Sequence, residues 1–186
     1  MPGVAACARS GKTGRVGAEI NSLELLNAAE PADAEHALLA CCASRRWADE
    51  MLARRPYPDL DLLLLVSGAA LEGLDWAGVR EALDAHPRIG DRPAGAGTEA
   101  TWSRDEQAAA GTDESGGAEL RAANVEYEDR FGHVFLICAT GRSAPEILAA
   151  LRERLGHDEE TEREVVRAEL AAIVALRLGK LVGERA

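Results

Sequence analysis

The sequence is poor in the aromatic residues that favour β-strands, and it lacks the features that mark secreted or membrane-spanning chains. Aromatic residues make up only 4% of its 186 residues, whereas Ala, Leu, Glu and Arg are abundant. Because these four residue types are good helix formers, the composition favours an all-α fold. No run of about 18 apolar residues occurs, so no membrane-spanning helix is expected. The N-terminus carries basic residues without an apolar stretch, which does not match a secretory signal.

Cysteines are few and their spacing fits neither a disulfide framework nor a zinc site. The four are Cys7, Cys41, Cys42 and Cys138. Adjacent cysteines do not close a normal bridge with each other, and no C-x-x-C pair is present. This usage predicts reduced thiols in a cytoplasmic protein.

Positive charge is also scarce. There are 21 Lys and Arg against 32 Asp and Glu, which gives a formal net charge of -11. Phosphate backbones and anionic lipids repel such a protein, so neither nucleic acid nor a membrane is expected as its main partner. The length suits one compact domain with a sizeable core.

The hydrophobic periodicity predicts one bundle of about seven to nine helices over residues 19–186. Residues 1–18 show no periodicity and are expected to be a disordered N-terminal extension. The expected helices cover Leu23–Ala28 after a cap at Asn21 or Ser22, Asp33 to about Leu52, Leu60–Leu71, Asp75 to about Ala85, a stretch from Ser103, Glu114–Phe131, a stretch from Ser143, and Asp158 to about Leu181.

Three details of this prediction concern segments that are unusual for helices. The Leu60–Leu71 helix is so apolar that burial on several faces is expected, and a break is expected at Gly116-Gly117. Residues 86–102 are rich in Gly and Pro and are predicted to form a long loop. Because long loops in compact domains are often functional, this loop is a candidate part of a site. Residues 133–141 are either extended or a turn of buried helix.

His86 lies at the end of a predicted helix, directly before Pro87. A histidine there can simply cap the helix, because a cationic imidazole is favoured at a helix C-terminus. It can equally act as a general acid and base on a loop beside a cavity. The residue alone leaves both readings open.

Ser103 and Glu106 have the spacing of a capping box, which is a sufficient structural reason for the pair. A helix N-terminus also collects unpaired N–H groups that bind carboxylate or carbonyl oxygens. A functional role is therefore compatible with the capping role.

Arg177 falls within the apolar stripe of the last predicted helix, which contains Val166, Leu170, Ile173 and Leu181. A buried guanidinium needs a partner, since an unpaired charge in the interior is costly. The partner can be an internal carboxylate, or the side chain can snorkel to solvent. Alternatively, Arg177 clamps an anionic ligand in a cavity.

The other candidates for chemistry are weaker. His133 adjoins an apolar run and reads as a core histidine, and Cys138 reads as a core thiol. The four histidines lack the spacing of a metal-binding helix, so no metal site is expected. No G-x-S-x-G or G-x-G-x-x-G motif follows a predicted strand.

Several segments together resemble the family of 2-oxo-4-hydroxy-4-carboxy-5-ureidoimidazoline (OHCU) decarboxylases. The resemblance extends over about residues 20 to 182, and the order of the motifs makes it specific. The segments are INSLELLN, LLACCASRRWADEMLARRPYPD, HPRIG, SRDEQAAAG, NVEYEDRFGHVFLICATGRSAPEIL and AELAAIVALRLGKL.

The resemblance implies a compact all-α, homodimeric enzyme of urate catabolism that forms (S)-allantoin without a metal or organic cofactor. It implies catalytic roles for His86 and Glu106. The substrate-binding residues that it implies are Pro87, Ser103, Phe131, Phe135, Ile137 and Arg177. Two other readings of the sequence are a helical hydrolase acting on a ureide or hydantoin and a non-catalytic binding module for such a ligand. A metal requirement would favour the hydrolase, and ligand affinity without turnover would favour the binding module.

Overall fold

The computed structural model describes residues 20–89, 101–102 and 114–183, and within these ranges the chain is an all-α bundle without strands. The eight helices with defined bounds there confirm the predicted fold class. They are α1 (Leu23–Ala28), α2 (Pro31–Cys41), α3 (Arg45–Ala53), α4 (Leu60–Glu72), α5 (Trp76–Asp84), α6 (Glu114–Phe131), α7 (Ala144–Arg154) and α8 (Glu159–Leu181). The predicted N-terminal extension, residues 1–18, lies outside the described residues.

Side-chain caps set several helix starts where the sequence predicts them. Ser22, Asp75 and Asp158 accept hydrogen bonds from the backbone N–H three residues later, at 3.2, 2.9 and 2.8 Å. Such caps satisfy N–H groups that have no partner within the helix. Before α7, the Glu146 carboxylate accepts from the Ser143 N–H at 2.7 Å, as in a capping box.

The predicted single helix from Asp33 to about Leu52 is wrong, because the structure divides it into α2 and α3. Cys42 is extended at the end of α2, and Ser44 caps α3 by accepting from the Trp47 N–H at 3.5 Å. Helix α2 begins at Pro31, two residues before the predicted start at Asp33. Proline suits a first turn because its missing N–H is not needed there. Apolar residues on both sides of the break are buried, which is why the periodicity seemed continuous.

Helix α4 is buried along one face and not on several as predicted. Leu63, Ser67 and Leu71 are buried, whereas Leu62 is 39% and Leu65 69% exposed. The reason is that α4 packs on one side, against α3 and α8. Among the described residues, no single helix is long and apolar enough to cross a membrane; α4 and α5 meet that test only as a pair, across a bend of 113°.

Two further boundaries differ from the prediction. Helix α6 runs without a break through Gly116-Gly117. Glycine lowers helix propensity by about 1 kcal/mol but introduces no clash, so tertiary packing can override it. Thr101 and Trp102 are helical, although the predicted loop extends to Trp102. Trp102 is partly buried against the core, and this packing favours an ordered helix there.

The core consists of two clusters that meet at the segment after α6. The larger one unites α1 to α5 with α8, and the smaller one lies between α6 and α7. Residues 134–139 are not helical, so the predicted alternative of a turn of buried helix is wrong there. Phe135 and Ile137 belong to the smaller cluster, whereas Leu136 belongs to the larger. This alternation is the pattern of an extended chain, whose successive side chains point to opposite sides, and it separates the two clusters.

Candidate active site

A pocket lies at this junction, and three parts of the chain form it. Its volume is about 420 Å³ when the open space at its mouth is included. The first part follows α5, the second is residues 135–140, called here the wall segment, and the third is the C-terminal half of α8. The described residues that line it are His86, Pro87, Ile89, Phe135, Leu136, Ile137, Cys138, Ala139, Thr140, Ile173 and Arg177.

His86 both caps α5 and lines the pocket, so the two readings left open by the sequence are compatible. Its backbone N–H bonds the Leu83 carbonyl at 2.9 Å, and its Nδ1 lies 2.8 Å from the Ala82 carbonyl oxygen. A carbonyl only accepts, so this bond requires a proton on Nδ1. In the neutral ring, Nε2 is then the basic nitrogen. The helix end thus fixes both the ring's orientation and its tautomer.

Arg177 is 1% exposed, which confirms that it lies within the buried face of α8. Its positive charge influences the pKa of Cys42, which is buried. Burial raises the pKa of the Cys42 thiol to about 11, and the backbone N–H of Ser44 and the Arg177 charge oppose this rise. Arg177 also lines the pocket, so its positive charge lies beside any ligand bound there.

The pocket brings together five of the eight residues implied by the resemblance: His86, Pro87, Phe135, Ile137 and Arg177. Phe131 is not among the described lining residues. Its ring instead packs on Tyr127 at a centroid distance of 4.7 Å, behind the wall segment. Ser103 and Glu106 lie outside the described residues.

His133 is a core histidine, as predicted. It is buried, and its ring makes edge contacts with Trp76 at 5.4 Å and Tyr127 at 5.5 Å between centroids. Desolvation lowers its pKa below the usual value, which keeps the ring neutral. His133 is not among the described residues that line the pocket.

The three cysteines of the described part form no disulfide. Cys41 and Cys42 are buried, and Cys138 is half-buried, packs against the core and also lines the pocket. Across residues 20–89 and 114–183, no three His, Cys, Asp or Glu side chains come together in a way that could hold a metal ion.

Helix α6 supports the loop that carries His86. The Asn124 side chain, which is buried, donates to the Ile89 carbonyl oxygen at 2.9 Å. One turn on, Glu128 accepts two hydrogen bonds from Arg88, at 2.6 and 2.5 Å. Both contacts hold the residues that follow Pro87. They show what Asn124 and Glu128, the first and last residues of the N-x-x-Y-E part of the α6 motif, do in the structure.

The arrangement places an oriented base and a permanent cation in a largely apolar pocket. An imidazole with a basic ring nitrogen can remove and return a proton. A guanidinium binds carboxylate, carbonyl or ureido oxygens with directed hydrogen bonds. The pocket is therefore suited to a small polar or anionic molecule with an acidic proton.

A model of the OHCU decarboxylase family matches residues 27–179. The chain belongs to this family. The match runs from α1 to near the end of α8 and contains every described residue of the pocket. The family resemblance inferred from the sequence motifs is thereby confirmed.

Relatives of this family member are known from plants and animals. A uric acid degradation bifunctional protein of Arabidopsis thaliana is 33% identical over 150 residues, which are 78% of this chain and 46% of that protein. An OHCU decarboxylase of Amia calva is 33% identical over 131 residues, which are 69% of this chain and 75% of that protein. The chain thus spans less than half of the bifunctional protein and three quarters of the fish enzyme.

Solved structures share the fold of this OHCU decarboxylase family member. A crystal structure of an OHCU decarboxylase in the presence of (S)-allantoin matches with a TM-score of 0.70 at 29% identity. The match covers 84% of this chain and 100% of the other. An (S)-allantoin synthase at 19% identity shares the fold, with a TM-score of 0.64.

The residues that support the pocket were not predicted, although two of them carried a signal. Glu162 falls in the same apolar stripe of α8 as Arg177, and Arg154 continues the apolar face of α7 formed by Ile147 and Leu151. A charge in each of two apolar stripes indicates a buried ion pair. Asn124 and Glu128 carry no such signal, because their contacts depend on how the loop after α5 folds back.

Proposed function

We propose that the chain decarboxylates OHCU to (S)-allantoin in the degradation of urate. The observation that carries this proposal is one pocket that contains both His86 and Arg177, in a chain of the OHCU decarboxylase family. The same function was predicted from the sequence motifs. The catalytic domain is proposed to span residues 19–186.

The substrate can itself accept the electrons that carbon dioxide leaves behind. OHCU carries a carboxylate and a hydroxyl on one ring carbon, next to a carbon of a C=N bond. When the bond to the carboxylate breaks, its electron pair forms a double bond between these two carbons, and the former C=N nitrogen takes up the charge and then a proton. An organic cofactor is therefore not required as an electron sink.

His86 is proposed to move the protons of this reaction. Its Nδ1 is committed to the Ala82 carbonyl, so Nε2 would take the proton of the 4-hydroxyl as that oxygen becomes a carbonyl. The imidazolium would then return a proton to the neighbouring carbon that bears the ureido group. Because α5 holds the ring on one side of the pocket, protonation from that side would give a single enantiomer.

Arg177 is proposed to bind an oxygen of the ring or of the ureido group. A carboxylate that leaves as neutral carbon dioxide should not be strongly stabilised before it reacts, since only interactions stronger in the transition state accelerate the step. Glu106 would hold the ureido N–H groups or orient His86, and Ser103 would hydrogen-bond the substrate. Pro87, Phe135 and Ile137 would contact it from the pocket walls, whereas Phe131 would act from behind by packing on Tyr127.

The test is a coupled assay from urate. The protein is mixed with urate oxidase and 5-hydroxyisourate hydrolase, and the loss of OHCU is followed together with the optical activity of the allantoin formed. Faster loss of OHCU and optically active (S)-allantoin are expected. If OHCU decays no faster with the protein than without it, the proposal is wrong. Binding of (S)-allantoin without turnover would then favour the binding module.

We also propose that the protein is a cytoplasmic homodimer, as the family resemblance implies. Leu62 and Leu65 are exposed on one face of α4, where a second copy could cover them. Sedimentation of the wild-type protein tests whether it is a dimer. Sedimentation of Leu65→Glu tests whether this face of α4 forms the interface, because a charge there should weaken the dimer. Sedimentation as a monomer at all concentrations would contradict the dimer.

A further inference from the structure

Two charged side chains hydrogen-bond the main chain of the wall segment. The Leu136 carbonyl oxygen accepts from Arg154 Nη1 at 2.8 Å. The Cys138 N–H donates to the Glu169 carboxylate at 2.7 Å. In an extended chain the main-chain groups of residues i and i+2 point to the same side, so both contacts are on one edge of the segment.

Glu169 belongs to the same helix as the pocket arginine. Glu169, Ile173 and Arg177 follow one another at four-residue intervals on α8, so they share a face of that helix. Ile173 and Arg177 line the pocket, and the wall segment forms another side of it. The Glu169 contact therefore ties the wall segment directly to the helix that carries Arg177.

The other contact is also anchored on α8. Arg154 Nε and Nη2 donate to Glu162 Oε1 at 2.9 and 2.6 Å, and the Tyr127 hydroxyl also hydrogen-bonds this carboxylate. The Arg154 guanidinium lies over the Phe135 ring, 4.5 Å from its centroid. The group that holds the Leu136 carbonyl is thus fixed by an ion pair, a hydroxyl and an aromatic ring.

We propose that Glu169 and Arg154 clamp the main chain of the wall segment to α8, and that Glu169 is a positioning residue that sets the distance between this segment and Arg177. The consequence for catalysis rests on the function proposed above. A reacting molecule held between His86, Arg177 and the wall segment would be misplaced if the segment moved, and small misplacements slow reactions strongly. Glu169 itself touches the wall and not the reacting atoms.

The experiment compares two substitutions of Glu169 with a control. Glu169→Gln retains a carbonyl oxygen that can accept from the Cys138 N–H, whereas Glu169→Met has a similar length and no such acceptor. Arg142→Ala is the control, because Arg142 forms an exposed ion pair with Glu169 at 3.5 Å and leaves the acceptor in place. Hydrogen exchange at the Cys138 amide is measured by NMR, together with amides of the α8 core.

Glu169→Met is expected to raise the exchange rate of the Cys138 amide by about tenfold or more relative to the core amides, since a hydrogen bond to a charged group is lost. Glu169→Gln is expected to restore most of the protection, and Arg142→Ala to leave it unchanged. Equal protection in Glu169→Met and wild type would overturn the clamp. A uniform rise at all amides would also overturn it, because that result reports global destabilisation alone.

Kinetics then test the positioning role. Glu169→Met is expected to lower kcat/KM for OHCU and to weaken (S)-allantoin binding, each by about tenfold, with Glu169→Gln intermediate and Arg142→Ala unchanged. Unchanged kcat/KM and product affinity, in a variant whose Cys138 amide exchanges faster, would refute positioning while leaving the proposed reaction intact. If the wild-type protein does not turn over OHCU, the proposed function fails, and the exchange data still decide whether the clamp exists.

Discussion

Arg154 and Glu162 form an ion pair with side chains only 5% and 1% exposed, at 2.6 Å between Nη2 and Oε1. The pair joins α7 to α8, and the His157 ring at 2.9 Å and the Tyr127 hydroxyl complete the surroundings of the carboxylate. Burial and the hydrogen bond to Glu162 raise the pKa of Tyr127 far above its usual value, so its hydroxyl stays protonated. Because water cannot reach charges this deeply buried, each is stabilised mainly by its partner and its hydrogen bonds.

Breaking this pair on one side is expected to destabilise the protein strongly. Arg154→Met or Glu162→Leu should each lower the free energy of unfolding by about 3 to 5 kcal/mol, because each leaves a buried charge without its partner. The double variant should lose less than the sum. Urea unfolding monitored by circular dichroism measures these changes.

Arg152→Ala is the matched control for this prediction. Arg152 lies two residues away on the same helix and pairs with Glu119, with both side chains 62% exposed. Exposed pairs contribute about 0 to 1 kcal/mol, so little change is expected. Equal effects of Arg152→Ala and Arg154→Met would contradict the importance assigned to burial.

His86→Gln is expected to fold and to lose about 10²- to 10⁴-fold in turnover. Glutamine can still donate to the Ala82 carbonyl, but it cannot take up a proton. The coupled assay gives kcat, and thermal unfolding checks the fold. The control is His36→Gln, since His36 is exposed on α2. Full activity of His86→Gln would remove His86 from the mechanism.

Arg177→Lys is expected to raise KM by about tenfold or more, although it preserves the charge. A lysine ammonium lacks the planar fork that binds two oxygens at once. The overall charge of -11 repels an anionic substrate, so attraction has to come from within the pocket. Arg167→Lys is the comparison, because Arg167 lies on the same helix and donates to the Leu74 carbonyl at 2.9 Å. An unchanged KM in Arg177→Lys would show that the fork is not used.

His133 is expected to make the protein less stable in mild acid. Desolvation lowers its pKa in the folded state, so the unfolded state binds the proton more tightly. The free energy of unfolding is therefore not reduced by His133 above the unfolded-state pKa of about 6.5. Below that pH it falls, by at most about 1.4 kcal/mol per pH unit.

The check is urea unfolding of His133→Phe and wild type between pH 7 and 5. Phenylalanine fits the aromatic surroundings and does not titrate, so the variant should lose less stability over this range. His36→Gln, at an exposed position, should follow the wild type. A parallel pH dependence of all three proteins would show that His133 does not contribute.

Local signals in the sequence were reliable where a residue acts on its own backbone. The helices predicted to begin at Asp75 and Asp158 do begin there, because these carboxylates cap them by bonding N–H groups only three residues away. The break between α2 and α3 was missed for the complementary reason. Ser44 is a possible cap by composition, but burial of Cys41, Cys42 and Trp47 on both sides kept the apolar period continuous.

The sequence by itself determined the helical fold class, the family, and the presence of a charged residue within the buried face of α8. These depend on composition, motif order and the helical period, which are properties of neighbours along the chain. The tertiary structure decided which distant residues meet. It brought His86, the wall segment and Arg177 to one pocket, and it placed Asn124 behind Ile89 and Glu169 behind Cys138. Such contacts join residues about 30 or more positions apart, and only the packing of the helices specifies them.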